Sequence, residues 1–307
     1  MTIRQIFFLL SVFVLTLNGT GQTLSKYKHI DDYVISFESN APTPEKLVRS
    51  LIKKKWTEDE KVRAVYGWIA KNIKYDYEGL NLKTVHFSDD NTMALEAFAK
   101  RTGVCAHYSA LFQYMCNSIG IEAKTINGRI KLSPSQIGIV PIDFHGWNMV
   151  KTNGKYHLIE VTWASASQKH FEYFFYPDPK RFIATHYSEG KDQLLSVPIK
   201  KKEFDNYPYI SDCFFFEKKD NIFPKQGTIV TNNGHIELKI NYPDTLSLLP
   251  EIFIGDELYY PPCTFKKVGQ TFILSLKIPE GEYVLRLGSE CNGLLAFKVI
   301  YKKEDEE

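Results

Sequence analysis

The chain has 307 residues, of which 44% are hydrophobic and 24% charged, and its formal net charge at pH 7 is +2. This composition is that of an ordinary globular protein, and the length leaves room for two hydrophobic cores. Because the charge is nearly balanced and no strongly basic stretch occurs, we predict that nucleic acid is not a partner.

The N-terminus has the order of regions found in a secretory signal peptide. Arg4 precedes the apolar run IFFLLSVFVLTL, and small or polar residues follow as far as Gln22. The run is shorter than the ~20 residues that a membrane-spanning helix needs. We therefore predict a signal peptide over residues 1–22 and export of the mature chain, periplasmic or extracellular, without a stable membrane span. A buried N-terminal helix and an uncleaved anchor are the alternatives.

Two helices are predicted before residue 101. Thr57 and Glu60 have the spacing of a capping box, in which each residue satisfies a free backbone donor at the start of a helix. Apolar residues at helical spacing follow this box. A second helix is predicted over Asn91–Lys100, and Thr102-Gly103 ends the pattern.

A third helix begins at Val104 or Cys105 and ends at Ile119, because Gly120 supplies a C-terminal stop. Cys116 follows Cys105 by eleven residues, which is about 16 Å of rise along a helix. The two thiols therefore cannot bond to each other, and Cys116 is predicted to lie in the core. The chain has five cysteines, so at least one thiol is unpaired. Cys263 with Cys291 is the favoured pair among the others, and the pairing stays open.

The pattern then changes from helical to extended. Lys124–Ile130 is rich in β-forming residues, and two further runs, Asp143–Lys151 and Lys155–Trp163, flank the dipeptide Asn153-Gly154. Asn-Gly between two alternating runs is a strong indication of a β-hairpin. Helices followed by a sheet in this order predict an α+β domain.

The C-terminal part of the chain lacks helical periodicity. Its short β-rich runs are Thr228–Val230, His235–Ile240, Glu251–Ile254, Thr271–Leu276, Tyr283–Leu287 and Leu295–Ile300. Their spacing predicts a small antiparallel sandwich of immunoglobulin-like type. After the signal peptide we therefore predict an α+β domain over residues 23–204 and an all-β domain over residues 205–307.

The predicted hairpin also determines which side chains share a face of the sheet. With Asn-Gly as a two-residue loop, antiparallel pairing places His145 opposite Thr162 and Trp147 opposite Glu160. Directly paired residues point to the same face, so His145 and Glu160 become diagonal neighbours with Cα atoms about 7 Å apart. A carboxylate at that position reaches an imidazole nitrogen. A register slip by one residue would destroy this alignment.

Cys105 is a candidate nucleophile because of its place at the start of a helix. A helix N-terminus carries partial positive charge and free N–H groups, and both favour a thiolate. His145 is suited to accept the proton, and Glu160 to fix its tautomer and stabilise the imidazolium. The backbone N–H of Cys105 is a candidate oxyanion donor. Such a site attacks a carbonyl, forms a thioester and passes the acyl group to water or an amine.

The motifs around these residues resemble those of the transglutaminase-like superfamily. GVCAHYSALFQYMCNSIGIEA is similar to its Cys-helix motif, HGWNMV to its His strand and HLIEVTWA to its acidic strand. GWIAKNIKYDYE resembles the helix upstream, and YFFYPDPKRFIATHYSEGKDQLL resembles the segment after the acidic strand in the kyphoscoliosis-peptidase branch. The match covers about residues 58–195 in the right order, and a following β-sandwich also resembles that branch.

The resemblance implies a papain-like α+β core and a Cys-His-Asp triad. Carried over by position, Cys105 is the nucleophile and His145 the base, while Glu160 stands at the usual Asp position. Glu keeps the charge but adds a methylene group. His107 stands where the family more often has Gly, close to the thiol. Asp143, on the same strand as His145, is a substitute candidate for the acidic residue.

Two classes of function stay open. The leading one is a secreted thiol enzyme that hydrolyses amide bonds of a protein or peptide substrate, with cross-linking acyl transfer as the less favoured reaction. The rival is a binding or scaffold protein that keeps the fold without turnover. We predict no cofactor and no metal, since the sequence has no Gly-rich phosphate loop and the other histidines lack metal-ligand spacing. The substrate and the oligomeric state are left open.

Overall fold

The computed structural model describes residues 26–139, 144–166, 171–210, 225–241, 249–254, 257–269, 271–288 and 294–303. The predicted signal peptide, residues 1–22, lies outside these ranges. Within them, no helix combines the length and the apolar character that crossing a bilayer would require.

The helices of the described chain all belong to its first two thirds. They are α1 (Lys28–Ser36), α2 (Pro44–Leu51), α3 (Glu58–Asn72), α4 (Tyr77–Leu82), α5 (Asp90–Lys100), α6 (Cys105–Asn117), α7 (Val161–Ala166), α8 (Pro179–Phe182) and α9 (Lys201–Asp205). The capping box predicted at Thr57 and Glu60 opens α3. Gly120, predicted as the stop after α6, has a φ of 79°, a conformation that favours glycine.

Six strands accompany these helices. They are β1 (Lys74–Tyr75), β2 (Thr102–Gly103), β3 (Ala123–Ile130), β4 (Phe144–Thr152), β5 (Lys155–Ile159) and β6 (His186–Tyr187). β1 and β2 form a short parallel pair, and the other four form an antiparallel sheet in the order β5-β4-β3-β6. α6 packs against β3 and β4, so the largest hydrophobic core of the described chain lies between helices and this sheet. The predicted α+β class is confirmed.

One predicted element is wrong at its end. The run Lys155–Trp163 was expected to form a single strand, but β5 ends at Ile159 and α7 begins at Val161. Glu160 separates the two elements, and its carboxylate accepts hydrogen bonds from the first turn of α7. A side chain that caps free backbone N–H groups in this way favours a helix start over a continued strand.

The C-terminal part of the structure is all β. Its strands are β7 (Tyr209–Ile210), β8 (Thr228–Thr231), β9 (His235–Asn241), β10 (Leu249–Ile254), β11 (Glu257–Tyr259), β12 (Cys263–Val268), β13 (Thr271–Lys277), β14 (Gly281–Gly288) and β15 (Leu294–Tyr301). One sheet has the order β11-β10-β14-β15-β7, with β8 also paired to β15, and the other has the order β12-β13-β9. Buried residues of both sheets form a second apolar core, which is consistent with a β-sandwich.

The six runs predicted as strands in this region correspond to β8, β9, β10, β13, β14 and β15. The prediction missed β11 and β12, whose residues are mostly exposed. β12 carries Lys266 and Lys267 and pairs on one side only, with β13. An edge strand with charged, exposed residues lacks the apolar alternation by which strands are recognised in a sequence.

The two cores meet around the segment that carries β6. Ala184 belongs to the second apolar core, while the neighbouring Phe182 belongs to the first. Lys131, at the end of β3, is buried, and its Nζ donates to the carbonyl oxygens of Phe204 at 3.0 Å and Tyr207 at 2.6 Å. The α+β core and the chain leading into the sandwich are therefore joined by a buried, hydrogen-bonded lysine.

Candidate active site

Cys105 is the first residue of α6, as its sequence position predicts. The parallel pair β1–β2 holds the chain in front of it, because the Asp76 N–H donates to the Gly103 carbonyl at 3.0 Å. Val104 is extended, and its side chain makes no capping hydrogen bond. Cys105 is partly exposed as a residue. Its thiol lies at an uncapped helix N-terminus, where the helix dipole favours negative charge.

His145 lies on β4, buried beside the first turn of α6. The close approach of strand and helix depends on Gly146, since a Cβ there would lie 3.0 Å from Ser109 Oγ and 3.7 Å from Ala106 Cα. Asn148 joins the two elements, because its Nδ2 donates to the Ser109 carbonyl at 2.9 Å. This packing brings the His145 ring close enough to the Cys105 thiol to lower its pKa.

The hairpin between β4 and β5 has the predicted register. Its two loop residues have φ of 51° and 76°, as a two-residue Asn-Gly turn requires. The ladder follows the predicted pairing as far as Asn148 opposite Ile159. The predicted direct pairs of Trp147 with Glu160 and of His145 with Thr162 do not form, because the chain turns into α7 at this point. Glu160 nevertheless reaches His145, and the distance from His145 Nε2 to Glu160 Oε2 is 2.8 Å.

Glu160 is fully buried, and its carboxylate is surrounded by donors. Oε1 accepts hydrogen bonds from the backbone N–H groups of Thr162 at 2.8 Å and Trp163 at 3.1 Å. Oε2 faces His145 Nε2. The residue therefore caps α7 with one oxygen and orients the imidazole with the other. Since Nε2 is engaged by the carboxylate, Nδ1 is the ring nitrogen left for Cys105.

The pKa shifts of the three groups favour an ion pair. Burial alone raises the pKa of Glu160, but the charge and hydrogen bond of His145 outweigh it and bring the pKa to about 2. Burial lowers the pKa of His145, but Glu160 and Cys105 together raise it above its ordinary value. Burial raises the pKa of Cys105, whereas the hydrogen bond and charge of His145 and the Gly146 N–H produce a net lowering. The arrangement therefore favours a thiolate beside an imidazolium.

His107 is buried on α6, two residues after the thiol. Its ring occupies the space beside Gly103, where a Cβ would lie only 2.5 Å from the His107 Cβ. Its Nε2 is 3.8 Å from Glu96 Oε2. Burial lowers the pKa of His107 despite this carboxylate, which disfavours a positive charge on the ring near Cys105.

Sequence reasoning missed a second histidine at the site. His186, on β6, places its Nε2 3.5 Å from Glu160 Oε2, and its ring centroid is 5.6 Å from that of His145. β6 has two residues and pairs with the end of β3. A strand this short has no periodicity by which it could be recognised in the sequence. The only sequence signal for His186 is its position in the segment ATHYSEG, which resembles the family.

The ligand atoms of His145, Glu160 and His186 lie within 4.8 Å of one another, and all three residues are buried. Two imidazoles and a carboxylate are a donor set that transition metals use. Here the carboxylate already accepts from His145 and from two backbone N–H groups, so its oxygens have partners without an ion. That the chain binds no metal stays a prediction. Asp143, the substitute acid, lies outside the described residues.

Comparison with known proteins supports the sequence resemblance. Residues 45–161 match the model of the transglutaminase-like superfamily. The chain is 28% identical to human kyphoscoliosis peptidase over 252 residues, which cover 78% of this chain and 36% of that protein. It is 27% identical to hillarin of Drosophila melanogaster over 218 residues, which cover 62% of this chain and 25% of that protein. The chain therefore spans about a quarter to a third of the length of these relatives.

Among solved structures, a TGase is similar at 19% identity, with 48% of this chain and 35% of that chain covered and a TM-score of 0.28. The family match confirms the resemblance drawn from the Cys, His and acidic motifs, and the curated relatives support the kyphoscoliosis-peptidase-like branch.

Proposed function

We propose that this chain, which carries a transglutaminase-like domain, is a thiol enzyme that hydrolyses amide bonds of a protein or peptide substrate. Cys105 is the nucleophile, His145 the general base and acid, and Glu160 the carboxylate that holds His145. The observation that carries the proposal is the buried His145–Glu160 contact of 2.8 Å beside a thiol whose pKa is lowered in spite of its burial. A buried charge pair of this kind at a helix N-terminus is the arrangement that activates a cysteine.

In the first half of the reaction, the Cys105 thiolate attacks the substrate carbonyl, and the carbonyl π electrons move to oxygen. The backbone N–H groups at the start of α6 are the candidate donors for this oxyanion. When the tetrahedral intermediate collapses, the C–N bond breaks and the leaving nitrogen takes the proton of the His145 imidazolium. The product is a thioester on Cys105 and a neutral imidazole.

In the second half, His145 removes a proton from water as the water oxygen attacks the thioester. The C–S bond then breaks, the carboxylic acid leaves, and the thiolate and imidazolium are restored. Throughout, Glu160 stabilises the imidazolium and keeps Nδ1 directed at the sulfur. An amine in place of water would give acyl transfer by the same steps. Hydrolysis is proposed because the described site has no feature that would favour an amine over water.

The test is the rate of alkylation of each cysteine by iodoacetamide between about pH 5 and pH 9, a range that brackets the pKa of a free thiol. Mass mapping separates Cys105 from Cys263, a partly exposed free thiol in the sandwich that serves as the internal reference. We expect Cys105 to react faster than Cys263 at mildly acidic pH, because the pKa of the Cys105 thiol is lowered by His145. His145→Ala should remove the difference, and Cys105→Ala should abolish hydrolysis of peptide amides.

If Cys105 and Cys263 follow the same pH profile in the unmodified chain, the catalytic proposal is wrong and the binding or scaffold class takes its place. If Cys105 is activated but the products retain an added amine, the reaction is acyl transfer.

We also propose export of the mature chain, on the basis of the apolar run at residues 6–17. The mature chain would begin near residue 22. Sequencing the N-terminus of the protein recovered outside the cytoplasm tests this, and an intact N-terminus inside the cell would contradict it.

A further inference from the structure

His186 is held in one orientation beside the catalytic carboxylate, although nothing in the proposed reaction uses it. Its ring stacks on Phe182, with centroids 4.0 Å apart and planes at 14°, and lies edge-on to Trp163 at 4.5 Å. Its Nδ1 is 2.8 Å from Thr185 Oγ1. The ring is 1% exposed, so its polar atoms can interact only with protein groups.

The remaining nitrogen, Nε2, points toward Glu160. It lies 3.5 Å from Oε2 and has no fully formed hydrogen bond among the described residues. A buried polar nitrogen without a full hydrogen bond is costly. The titratable groups that face the ring are Glu160 and His145, and burial lowers the pKa of His186 to about 4 in spite of the carboxylate. The imidazole is therefore neutral at pH 7 and carries one proton.

The position of that proton follows from the neighbours. A carboxylate oxygen can only accept, so a lone pair on Nε2 facing Oε2 would be repelled, whereas an N–H there is attracted. The Thr185 hydroxyl can donate to Nδ1. The favourable tautomer is thus protonated on Nε2, with the N–H dipole directed at Glu160.

We propose that His186 is a positioning residue, a neutral imidazole that orients the Glu160 carboxylate and keeps it charged so that His145 can stabilise the Cys105 thiolate. The proposal rests on the proposed function. His186 touches neither the thiol nor any reacting atom, and it acts through Glu160 alone. During cleavage of a peptide bond, Glu160 balances the positive charge of the His145 imidazolium. The N–H that His186 directs at Oε2 favours the ionised form of Glu160.

The segment that carries His186 is held by both parts of the molecule. The Thr185 carbonyl accepts a hydrogen bond from the Lys131 N–H at 3.0 Å, and Ala184 packs into the second apolar core. The segment that carries His186 is thereby clamped between the two cores. One role of the C-terminal β region is then to hold β6 against the catalytic carboxylate.

The experiment replaces His186 in the full chain and measures the pH profile of Cys105 alkylation. His186→Phe keeps a flat ring on Phe182 but removes the donor, and His186→Gln keeps a donor at about the same reach. His157→Phe is the matched control, because His157 also stacks on an aromatic ring, Tyr176, at 4.2 Å and 17°, and burial also lowers its pKa. His157 has no contact with Glu160 among the described side chains.

We expect His186→Phe to raise the apparent pKa of the Cys105 thiolate by about one unit, so that alkylation at pH 6 slows about tenfold. His186→Gln should stay within about threefold of the unmodified chain, since an amide N–H can still donate to a carboxylate. His157→Phe should leave the profile unchanged. Thr185→Val, which removes the hydroxyl that fixes the tautomer, should act in the same direction as His186→Phe and provides the answer if His186→Phe does not fold.

Identical profiles for His186→Phe and the unmodified chain would overturn the inference while leaving the proposed function intact. Equal losses in His186→Phe and His186→Gln would also overturn it, because they would indicate packing rather than a donor. An unmodified chain in which Cys105 behaves like Cys263 would instead defeat the proposed function, and the inference with it.

Discussion

The two cores of the molecule differ in what they bury. Among the described residues, every buried polar or charged side chain lies between Arg63 and Gln193, in the α+β half or in the segment that joins it to the sandwich. The core of the sandwich contains aliphatic and aromatic residues, together with Ala184. The half that carries the thiol therefore contains the buried charge, and the other half is held together by apolar contacts.

The buried charges of the first half are matched by partners. Arg63 is 1% exposed, and its guanidinium contacts Asp31 at 2.8 Å and Glu172 at 2.6 Å. Glu160 has His145 and two backbone N–H groups. Since removing one partner of a buried pair costs ~3–5 kcal/mol, this half depends on specific contacts. The reactive groups of this molecule therefore lie where buried charge is available to shift a pKa, and the apolar half supplies support.

The largest expected effect comes from removing the buried charge at the site without changing its shape. Glu160→Gln leaves an oxygen to cap α7 but presents an amide to His145, which can no longer be stabilised as an imidazolium. We expect the Cys105 thiolate pKa to rise by about two units, which slows alkylation at pH 6 about a hundredfold. Peptide hydrolysis, measured on the same samples, should fall at least as far.

The control for this change lies in the sandwich. Glu237 on β9 is an exposed glutamate on the opposite face of the strand from the core residues Ile236 and Leu238, and it is 3.5 Å from Lys239 Nζ. Glu237→Gln should leave both rates within about twofold, because exposed charges are well screened. If Glu160→Gln slows alkylation and hydrolysis no more than Glu237→Gln does, the buried charge of Glu160 is not what activates Cys105.

Several elements of the fold and the three residues of the candidate site could be predicted from the sequence. The capping box of α3, the Asn-Gly turn and the register of the hairpin follow from local chemistry, and each was predicted correctly. Cys105, His145 and Glu160 were predicted to lie together, and the structure brings them together. The capping box and the hairpin depend on a few residues that are close in sequence, whereas the grouping of Cys105 with His145 and Glu160 rested on its place at a helix start and on the family resemblance.

The rest depended on contacts that sequence spacing does not encode. His186 reaches Glu160 through β6, a two-residue strand whose position is set by packing against both cores. The turn at Glu160 was missed because the run that follows Ile159 reads as extended, and only the folded chain reveals that the carboxylate caps α7. β11 and β12 were missed because exposed edge strands carry no apolar alternation.

A smaller effect is expected from a change in the spacing of strand and helix. Gly146→Ala places a methyl group 3.0 Å from Ser109 Oγ, a contact that must open by a few tenths of an ångström. Since Ser109 Oγ is held by the carbonyl oxygens of Cys105 and Ala106, we expect β4 to shift. His145 moves with it, and we expect Cys105 alkylation at pH 6 to slow about tenfold, since small displacements of catalytic groups are costly.

Gly288→Ala is the matched change in the sandwich. A Cβ there would meet Glu251 Oε1 at 3.8 Å, which is ordinary van der Waals contact. It should leave the alkylation rate and the thermal midpoint nearly unchanged. Equal losses of alkylation rate in Gly146→Ala and Gly288→Ala would indicate that the close approach of β4 to α6 does not control the reactivity of Cys105.

The smallest expected effect is a difference in acid sensitivity between the halves. The folded pKa of Glu160 is lowered to about 2 from an ordinary value of 4.5, so its contribution to stability is present above about pH 4.5 and is lost as pH falls toward 2. Between about pH 5.5 and pH 4, where His145 is protonated in both the folded and the unfolded chain, the loss is about 1 kcal/mol. The sandwich has no buried carboxylate among its described residues and should not share this loss.

The sequence supplies a selective probe for this measurement. All four tryptophans, at positions 56, 68, 147 and 163, belong to the α+β half. Urea unfolding followed by tryptophan emission at about pH 5.5 and pH 4 therefore reports on Glu160 in that half, and hydrogen exchange of β13 and β14 reports on the sandwich. In Glu160→Gln the change in stability with pH should become smaller, since the group that titrates is gone. If the stability of that variant depends on pH as in the unmodified chain, other carboxylates cause the acid sensitivity of the α+β half.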